Sequence, residues 1–204
     1  MKKAIVLLSG GMDSAVTLYI AKKRGYKVSC LIFDYGQRHK KEITCAKRLA
    51  RLTGSEYSLL KIRLPWKQSA LLDKSLKVPD GRKFSGIPVT YVPARNTIFI
   101  SFALSFAEAK GARAIFIGAN ARDFSGYPDC RPVYFKKFSA LLKKATKAKG
   151  IKLEAPLLHK TKKEIAAIGK RLGVDFDLTW SCYKGGKRPC GRCDACRLRA
   201  RALL

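Results

Sequence analysis

The apolar run Ala4–Leu8 stops at Ser9-Gly10-Gly11-Met12-Asp13-Ser14, and apolar residues at helical spacing then continue to Lys23. A short apolar run bounded by glycines reads as a buried strand, so the chain begins as strand, tight glycine turn and helix. A strand that leads into a helix returns most simply to a parallel neighbour. The following residues fit that demand. Lys27–Phe33 reads as a second strand, Lys40–Leu52 as a helix with Ile43, Ala46, Leu49 and Ala50 on one stripe, and Ser55–Leu64 as a third strand. Further on, Thr97–Lys110 is a strongly apolar helix, Ala114–Ala119 a fourth strand and Pro132–Lys149 a basic amphipathic helix, followed by an extended piece at Lys152–Leu153. Thr161-Lys162-Lys163-Glu164 has the form of a capping box and opens a helix that runs to about Leu172. The expected fold is α/β, a Rossmann-like parallel sheet with helices on both faces. Residues 65–94, rich in proline, glycine and lysine, interrupt the alternation, and a loop of that length is expected to act as a lid. The expected division is a nucleotide-binding domain over 1–176 carrying that insertion, with a small segment, 177–204, packed on it.

The turn after the first strand has a chemistry of its own. Unpaired backbone N–H groups and the positive end of the helix meet there, which suits an oxyanion. Glycines allow a sharp turn and a close approach, serine hydroxyls add donors, and Asp13 can hold Mg2+ through oxygen. A Walker loop is excluded because no lysine stands at its end, and a dinucleotide fingerprint is excluded because Ser14 and Ala15 replace its third glycine. Ser-Gly-Gly-x-Asp-Ser after a first strand resembles the pyrophosphatase-loop enzymes, among them GMP, asparagine and NAD synthetases and the tRNA thiolation enzymes. That resemblance implies ATP bound along Leu8, Ser9, Gly10, Gly11, Met12, Asp13, Ser14, Ala15 and Val16, with cleavage between its α- and β-phosphates.

Seven cysteines are unevenly spread: Cys30, Cys45 and Cys130 are isolated, whereas Cys182, Cys190, Cys193 and Cys196 crowd together with seven, two and two residues between them. Four thiolates match a tetrahedral structural zinc, Gly185, Gly186 and Gly191 supply bends, and the surrounding lysines and arginines ease the crowding of negative charge. An iron–sulfur cluster is the alternative occupant. Cys30 and Cys45 read as core residues. The sequence has no apolar stretch near the roughly 20 residues a membrane helix needs, and no signal peptide is evident, so a cytoplasmic protein is expected.

Forty-three lysines and arginines face 14 acidic residues, a net charge of +29. A nucleic-acid partner and a lysine-rich solvated surface both account for it. Only two Gln and two Asn occur, a scarcity that hints at a hot-adapted source.

Taken in order, Ser9–Ser14, Asp34–His39, Val92–Asn96, Ile117–Asn120, Ser125–Arg131, Thr179–Tyr183 and the cysteine cluster resemble the 7-cyano-7-deazaguanine synthase family over nearly the whole chain. The resemblance implies that 7-carboxy-7-deazaguanine and ammonia become a nitrile at the expense of ATP, through an adenylate, an amide and a second activation, on the way to queuosine or archaeosine. It also implies ATP, Mg2+ and Zn2+ as cofactors and a homodimer. Asp13, Arg95 and Arg131 are the expected catalytic residues, the two arginines pairing with the substrate carboxylate or α-phosphate. Asp123 or Asp129 is expected to read the guanine-like edge, Phe124 or Tyr127 to stack on the ring, and main chain near Phe33 to meet adenine. Cys130 is expected to pack in the substrate pocket. His39 reads equally as a surface residue or as an acid–base group, and His159 more readily as a surface residue. Phe124 departs from the family's usual tyrosine, and the chain stops at Leu204, soon after the last cysteine. The rival readings are a thiolation-type tRNA-modifying enzyme on the same loop and a zinc-module nucleic-acid binder.

Overall fold

The computed structural model describes residues 1–81, 86–122 and 126–204. Five strands form one sheet in the order β3-β2-β1-β4-β5, all pairs parallel. They are β1 Lys3–Leu7, β2 Lys27–Asp34, β3 Glu56–Lys61, β4 Ala114–Ile117 and β5 Lys152–Glu154. Six helices accompany them: α1 Met12–Lys23, α2 Lys41–Leu52, α3 Arg95–Lys110, α4 Pro132–Ala145, α5 Lys162–Arg171 and α6 Asp194–Leu203.

The period of two along β1 sorts the core. Ala4 and Val6 face one layer with α1, α2 and α5, while Ile5 and Leu7 face the other with α3 and α4. Burial on both faces is what makes such strands read as unbroken apolar runs. Helix α1 is buried on several sides (Met12, Ser14–Leu18 and Ala21), so it is apolar without a clear stripe. The predicted α/β architecture is the observed one, with ends displaced by a few residues.

Two differences have physical causes. Helix α4 ends at Ala145, four residues before the predicted end, and Thr146 at its C-cap is already extended. Helix α6, which sequence reading took only as part of a metal segment, is a full helix whose Ala202 enters the α1/α2/α5 core. Its amphipathic stripe is easily hidden, because arginines fill most other positions from Arg197 to Arg201.

Among its described residues, the 65–94 segment contains no helix or strand. It is tied down by Arg38, whose backbone N–H donates to Leu71 and whose guanidinium donates to the carbonyls of Asp73, Lys74 and Leu76. No helix among the described residues is long and apolar enough to cross a membrane.

Candidate functional site

In the order 3-2-1-4-5 the crossover direction reverses between β1 and β4, and a cleft opens beyond the carboxyl ends of the strands at that point. Its volume is about 260 Å3, and its floor is made by Leu7, Leu31 and Ile117. At one end sits the Ser9–Ser14 turn. Gly11 stands at the N-cap of α1 with no side-chain cap, so the first N–H groups of the helix are left for a ligand. Ser9 Oγ and Ser14 Oγ lie 3.0 Å apart, and Ser14 Oγ donates to the Gly11 carbonyl.

The two glycines are not equivalent. Gly10 has φ +81°, and a Cβ there would collide with the Glu42 carbonyl oxygen and stand 2.8 Å from the Ala46 nitrogen. Close packing of α2 on the loop, as well as ligand approach, therefore demands glycine at position 10. On the opposite side Gly118 permits the end of β4 to meet α1, where a Cβ would fall 2.9 Å from the backbone of Asp13 and Ser14.

Asp13 points from the first turn of α1 into the cleft. One carboxylate oxygen pairs with Lys162 at the start of α5, while Oδ1 is buried with no hydrogen-bond partner among the described residues. A buried carboxylate oxygen left bare beside an uncapped helix end is the donor that a hard cation prefers. The site residues thus fit Mg2+.

Of the predicted nucleotide set, Leu8, Ser9, Gly11, Met12, Asp13, Ser14 and Phe33 line the cleft. Ala15 and Val16 do not: both are fully buried in the core, with 0% exposure. Gly10 lies behind the cleft wall. The Phe33 ring stacks on Phe99 at 4.0 Å, and its carbonyl accepts from Gln37, whose side-chain oxygen in turn accepts from the Tyr35 N–H.

The other end of the cleft is polar and aromatic. The last residue before α3, Ala94, adopts φ 50°, and among the described residues no other non-glycine has a positive φ. This turn aims Arg95 into the cleft, where its guanidinium donates to Tyr35 Oη at 3.2 Å. Burial alone would weaken the hold of Arg95 on its proton, but the Tyr35 and Tyr127 phenols and Asp129 outweigh it and raise the pKa. Tyr127 lines the cleft, with its hydroxyl 2.9 Å from that of Thr90. Burial pushes the phenols of Tyr35, Tyr127 and Tyr183 upward. Cys130 also lines the cleft, and its thiol is pushed up to about 11 by burial and then by Asp129, so it is packing material and not a ready nucleophile.

Two predicted residues stand elsewhere. Asp129 is buried, and its carboxylate accepts the Asn96 backbone N–H at 2.9 Å, which caps α3. Arg131 is exposed at the N-cap of α4 and is absent from the cleft wall. Asp123 and Phe124 lie outside the described residues. His39 is half-buried under Gly185, lines the cleft and packs edge-on against Trp180, whereas His159 is exposed.

Sequence reading missed Lys162 and Glu42, both in the cleft wall. Lys162 had a signal: a cation in the first turn opposes the helix dipole, so its position asks for a reason other than helix stability. Glu42 had none, since an acid in the first turn of α2 is simply favourable.

Behind the loop, the Sγ atoms of Cys182, Cys190, Cys193 and Cys196 all lie within 4.8 Å of one another. Metal–sulfur bonds of about 2.3 Å place tetrahedral sulfurs roughly 3.8 Å apart, so a small inward movement completes the site. Burial raises the Cys193 and Cys196 thiols. At Cys190 the same effect is outweighed by the N–H groups of Cys193 and Arg192, which bring it down to about 6. Trp180 couples this cluster to the loop: its backbone N–H donates to the Gly10 carbonyl at 2.9 Å, and its indole N–H to the Cys182 carbonyl at 3.0 Å.

The sequence matches the family described as queuosine biosynthesis protein QueC over residues 3–204. It is 50% identical to 7-cyano-7-deazaguanine synthase of Clostridium kluyveri over 211 aligned positions, covering 100% of this chain and 93% of that protein. It is 51% identical to the enzyme of that name from Ectopseudomonas mendocina, with 98% of this chain and 92% of that one covered. Its fold is that of NMN synthetase from Francisella tularensis, with TM-score 0.54, 17% identity and coverage of 93% and 71%. It is equally similar to a 4-thiouridine synthetase solved with RNA and bound ATP, with TM-score 0.53, 20% identity and 99% of this chain against 53% of that one.

Proposed function

The chain belongs to the queuosine biosynthesis protein QueC family, and from that membership we propose that it is an ATP-dependent carbon–nitrogen ligase that converts 7-carboxy-7-deazaguanine and ammonia to 7-cyano-7-deazaguanine. The product feeds the queuosine or archaeosine modification of tRNA. The observation that carries the reading is the shared cleft: a phosphate-binding helix end with a bare Asp13 oxygen faces a half-buried arginine bordered by phenols.

A carboxylate resists ammonia until one of its oxygens becomes a good leaving group, and attack of that oxygen on the α-phosphorus of ATP supplies one. The α1 N-terminus and the serine hydroxyls hold the pyrophosphate. Lys162 balances its charge beside Asp13. Asp13 would hold Mg2+, which neutralises phosphate charge. Arg95, positively charged at any working pH and oriented by Tyr35, grips the substrate carboxylate through its planar fork. Tyr127 stacks on or borders the deazaguanine ring, and Asp123 and Phe124 remain candidates for its edge and face. Asp129 and Arg131 take no part in this scheme, one being committed to α3 and the other turned outward. The same carboxyl carbon is activated twice, first to give the amide and then, through its remaining oxygen, the nitrile.

Cys182, Cys190, Cys193 and Cys196 would hold Zn2+ in a purely structural role, since four thiolates leave no open position. The site then fixes Trp180 and through it the Gly10 carbonyl. The 65–94 segment serves as a lid over the substrate, and 177–204 as the zinc-bearing appendage. A cytoplasmic homodimer completes the proposal. Free cysteines support a reducing compartment, and exposed Phe102, Val133 and Leu141 on α3 and α4 support a covered face.

Incubation with ATP, Mg2+, ammonium and 7-carboxy-7-deazaguanine tests the reading. AMP, pyrophosphate and the nitrile are expected together, without added nucleic acid. AMP that appears only when tRNA is present would put the thiolation-type reading in its place, and no ATP consumption in either case would overturn both.

A further inference from the structure

Among the described residues, the cleft wall contains two carboxylates, Asp13 and Glu42. Asp13 is paired with Lys162. Glu42 has no hydrogen bond or ion pair among the described residues, although its side chain is half-buried in the wall. The other cations of the wall are engaged: Arg38 with the carbonyls of Asp73, Lys74 and Leu76, and Arg199 with Thr179 and the Phe176 carbonyl. Glu42 is placed by the contact that makes Gly10 obligatory, the first turn of α2 lying directly on the phosphate loop. Its backbone thus rests on the phosphate loop while its side chain faces Arg95, the arginine assigned above to the substrate carboxylate, so it borders the place where the carboxyl under activation must sit. The groups that face it are Arg95 from α3, Tyr35 from the end of β2, Tyr183 from the cysteine segment and Cys45 on its own helix.

We propose that Glu42 is the general base of the amination step, binding ammonium beside the phosphate loop and taking a proton from it. This inference rests on the ligase reading given above. Ammonium has no lone pair, so the adenylate waits until a proton is removed. The Glu42 carboxylate accepts that proton. The nitrogen pair then forms the C–N bond to the acyl carbon, and the C–O bond to the α-phosphate breaks with its electron pair leaving on AMP. The second nitrogen proton passes to the departing phosphate oxygen, and protonated Glu42 returns its proton to water. Burial, opposed in part by Arg95, raises the Glu42 carboxyl from 4.5 to about 7, where accepting and releasing a proton are both easy at neutral pH. Were Glu42 instead a reader of the guanine-like edge, its loss would weaken substrate binding before any ammonia is used.

The experiment separates adenylation from amination in the whole protein. Substrate-dependent exchange of labelled pyrophosphate into ATP without ammonium reports adenylation, and ammonium-dependent amide and nitrile formation reports the proposed step. Glu42→Gln is expected to melt no lower than the wild type and to hold exchange within about 3-fold, while kcat/KM for ammonium falls by roughly 100-fold or more. Hydroxylamine, a nucleophile already unprotonated at neutral pH, is expected to restore product formation in Glu42→Gln, and Glu42→Asp to retain intermediate ammonium use. The wild-type ammonium rate is expected to level off above about pH 7, whereas that of Glu42→Gln keeps rising with the share of free ammonia. Unchanged ammonium kinetics, or exchange falling in step with amination, overturns the role of Glu42 alone. Absence of exchange in the wild-type protein overturns the ligase reading and this inference with it.

Discussion

The phosphate-loop end of the cleft and its tyrosine-lined end are held by different kinds of structure. At the loop, one contiguous stretch, Ser9–Ser14, offers backbone N–H groups and hydroxyls, and its shape is set by glycine, by α2 packed close on one side and by the end of β4 on the other. At the other end, Tyr35, Arg95, Tyr127 and Tyr183 come from separate parts of the chain, Arg95 donating to Tyr35 and the Tyr127 and Tyr183 hydroxyls meeting each other. Backbone at a helix end binds an anion whatever the surrounding side chains are, so the loop end suits the part of the chemistry common to all ATP-cleaving relatives. A dispersed cluster of side chains can be retuned residue by residue, which suits the part that selects a substrate.

That contrast can be broken in three ways, beginning with the largest effect. Asp13→Ala should lower pyrophosphate formation by at least about 100-fold while leaving the fold intact and 7-carboxy-7-deazaguanine binding measurable by calorimetry. Equal loss of substrate binding would mean that the two ends are not separable. Removal of metal by a chelator should loosen the C-terminal segment, with Trp180 fluorescence shifted to the red, cleavage by protease between residues 180 and 200, and weaker ATP binding through the lost hold on Gly10. A chelated, metal-free protein that keeps its protease resistance would contradict the coupling. The smallest effect concerns pH. Because the folded Glu42 carboxyl is raised above its ordinary value, the folded state holds a proton that the unfolded chain has released, and wild-type stability should fall as pH rises from about 4.5 to about 7. Glu42→Gln lacks this loss, so between pH 5 and 8 it should gain on the wild type by about 1 kcal/mol after allowance for partial exposure, measured by urea unfolding.

Legibility followed the same contrast. The strand–turn–helix opening, the capping box of α5 and the cysteine spacing are local patterns whose physics acts over a few residues, and each was readable: Thr161 accepts from the Glu164 N–H, and the four sulfurs converge. Ala15 and Val16 adjoin the motif, but a helix turns its next residues inward, and both are core. Asp129 was expected to meet a substrate because carboxylates read guanine edges. Its actual partner, the N-terminus of α3, is more than thirty residues earlier in the chain and carries no sequence mark. Glu42 was invisible for the same reason, since only folding sets it on Gly10 and opposite Arg95.

Twofold activation of one carboxyl carbon by attack on the α-phosphorus of ATP would leave a direct isotopic signature. Single-turnover reaction of 7-carboxy-7-deazaguanine labelled with oxygen-18 in both carboxylate positions, followed by mass analysis of the nucleotides, tests it most directly. The account predicts that each carboxylate oxygen leaves on a separate AMP, that pyrophosphate stays unlabelled and that the nitrile carries the nitrogen of ammonium. Label in pyrophosphate or in ADP, or an unlabelled AMP pool with nitrile present, would contradict it.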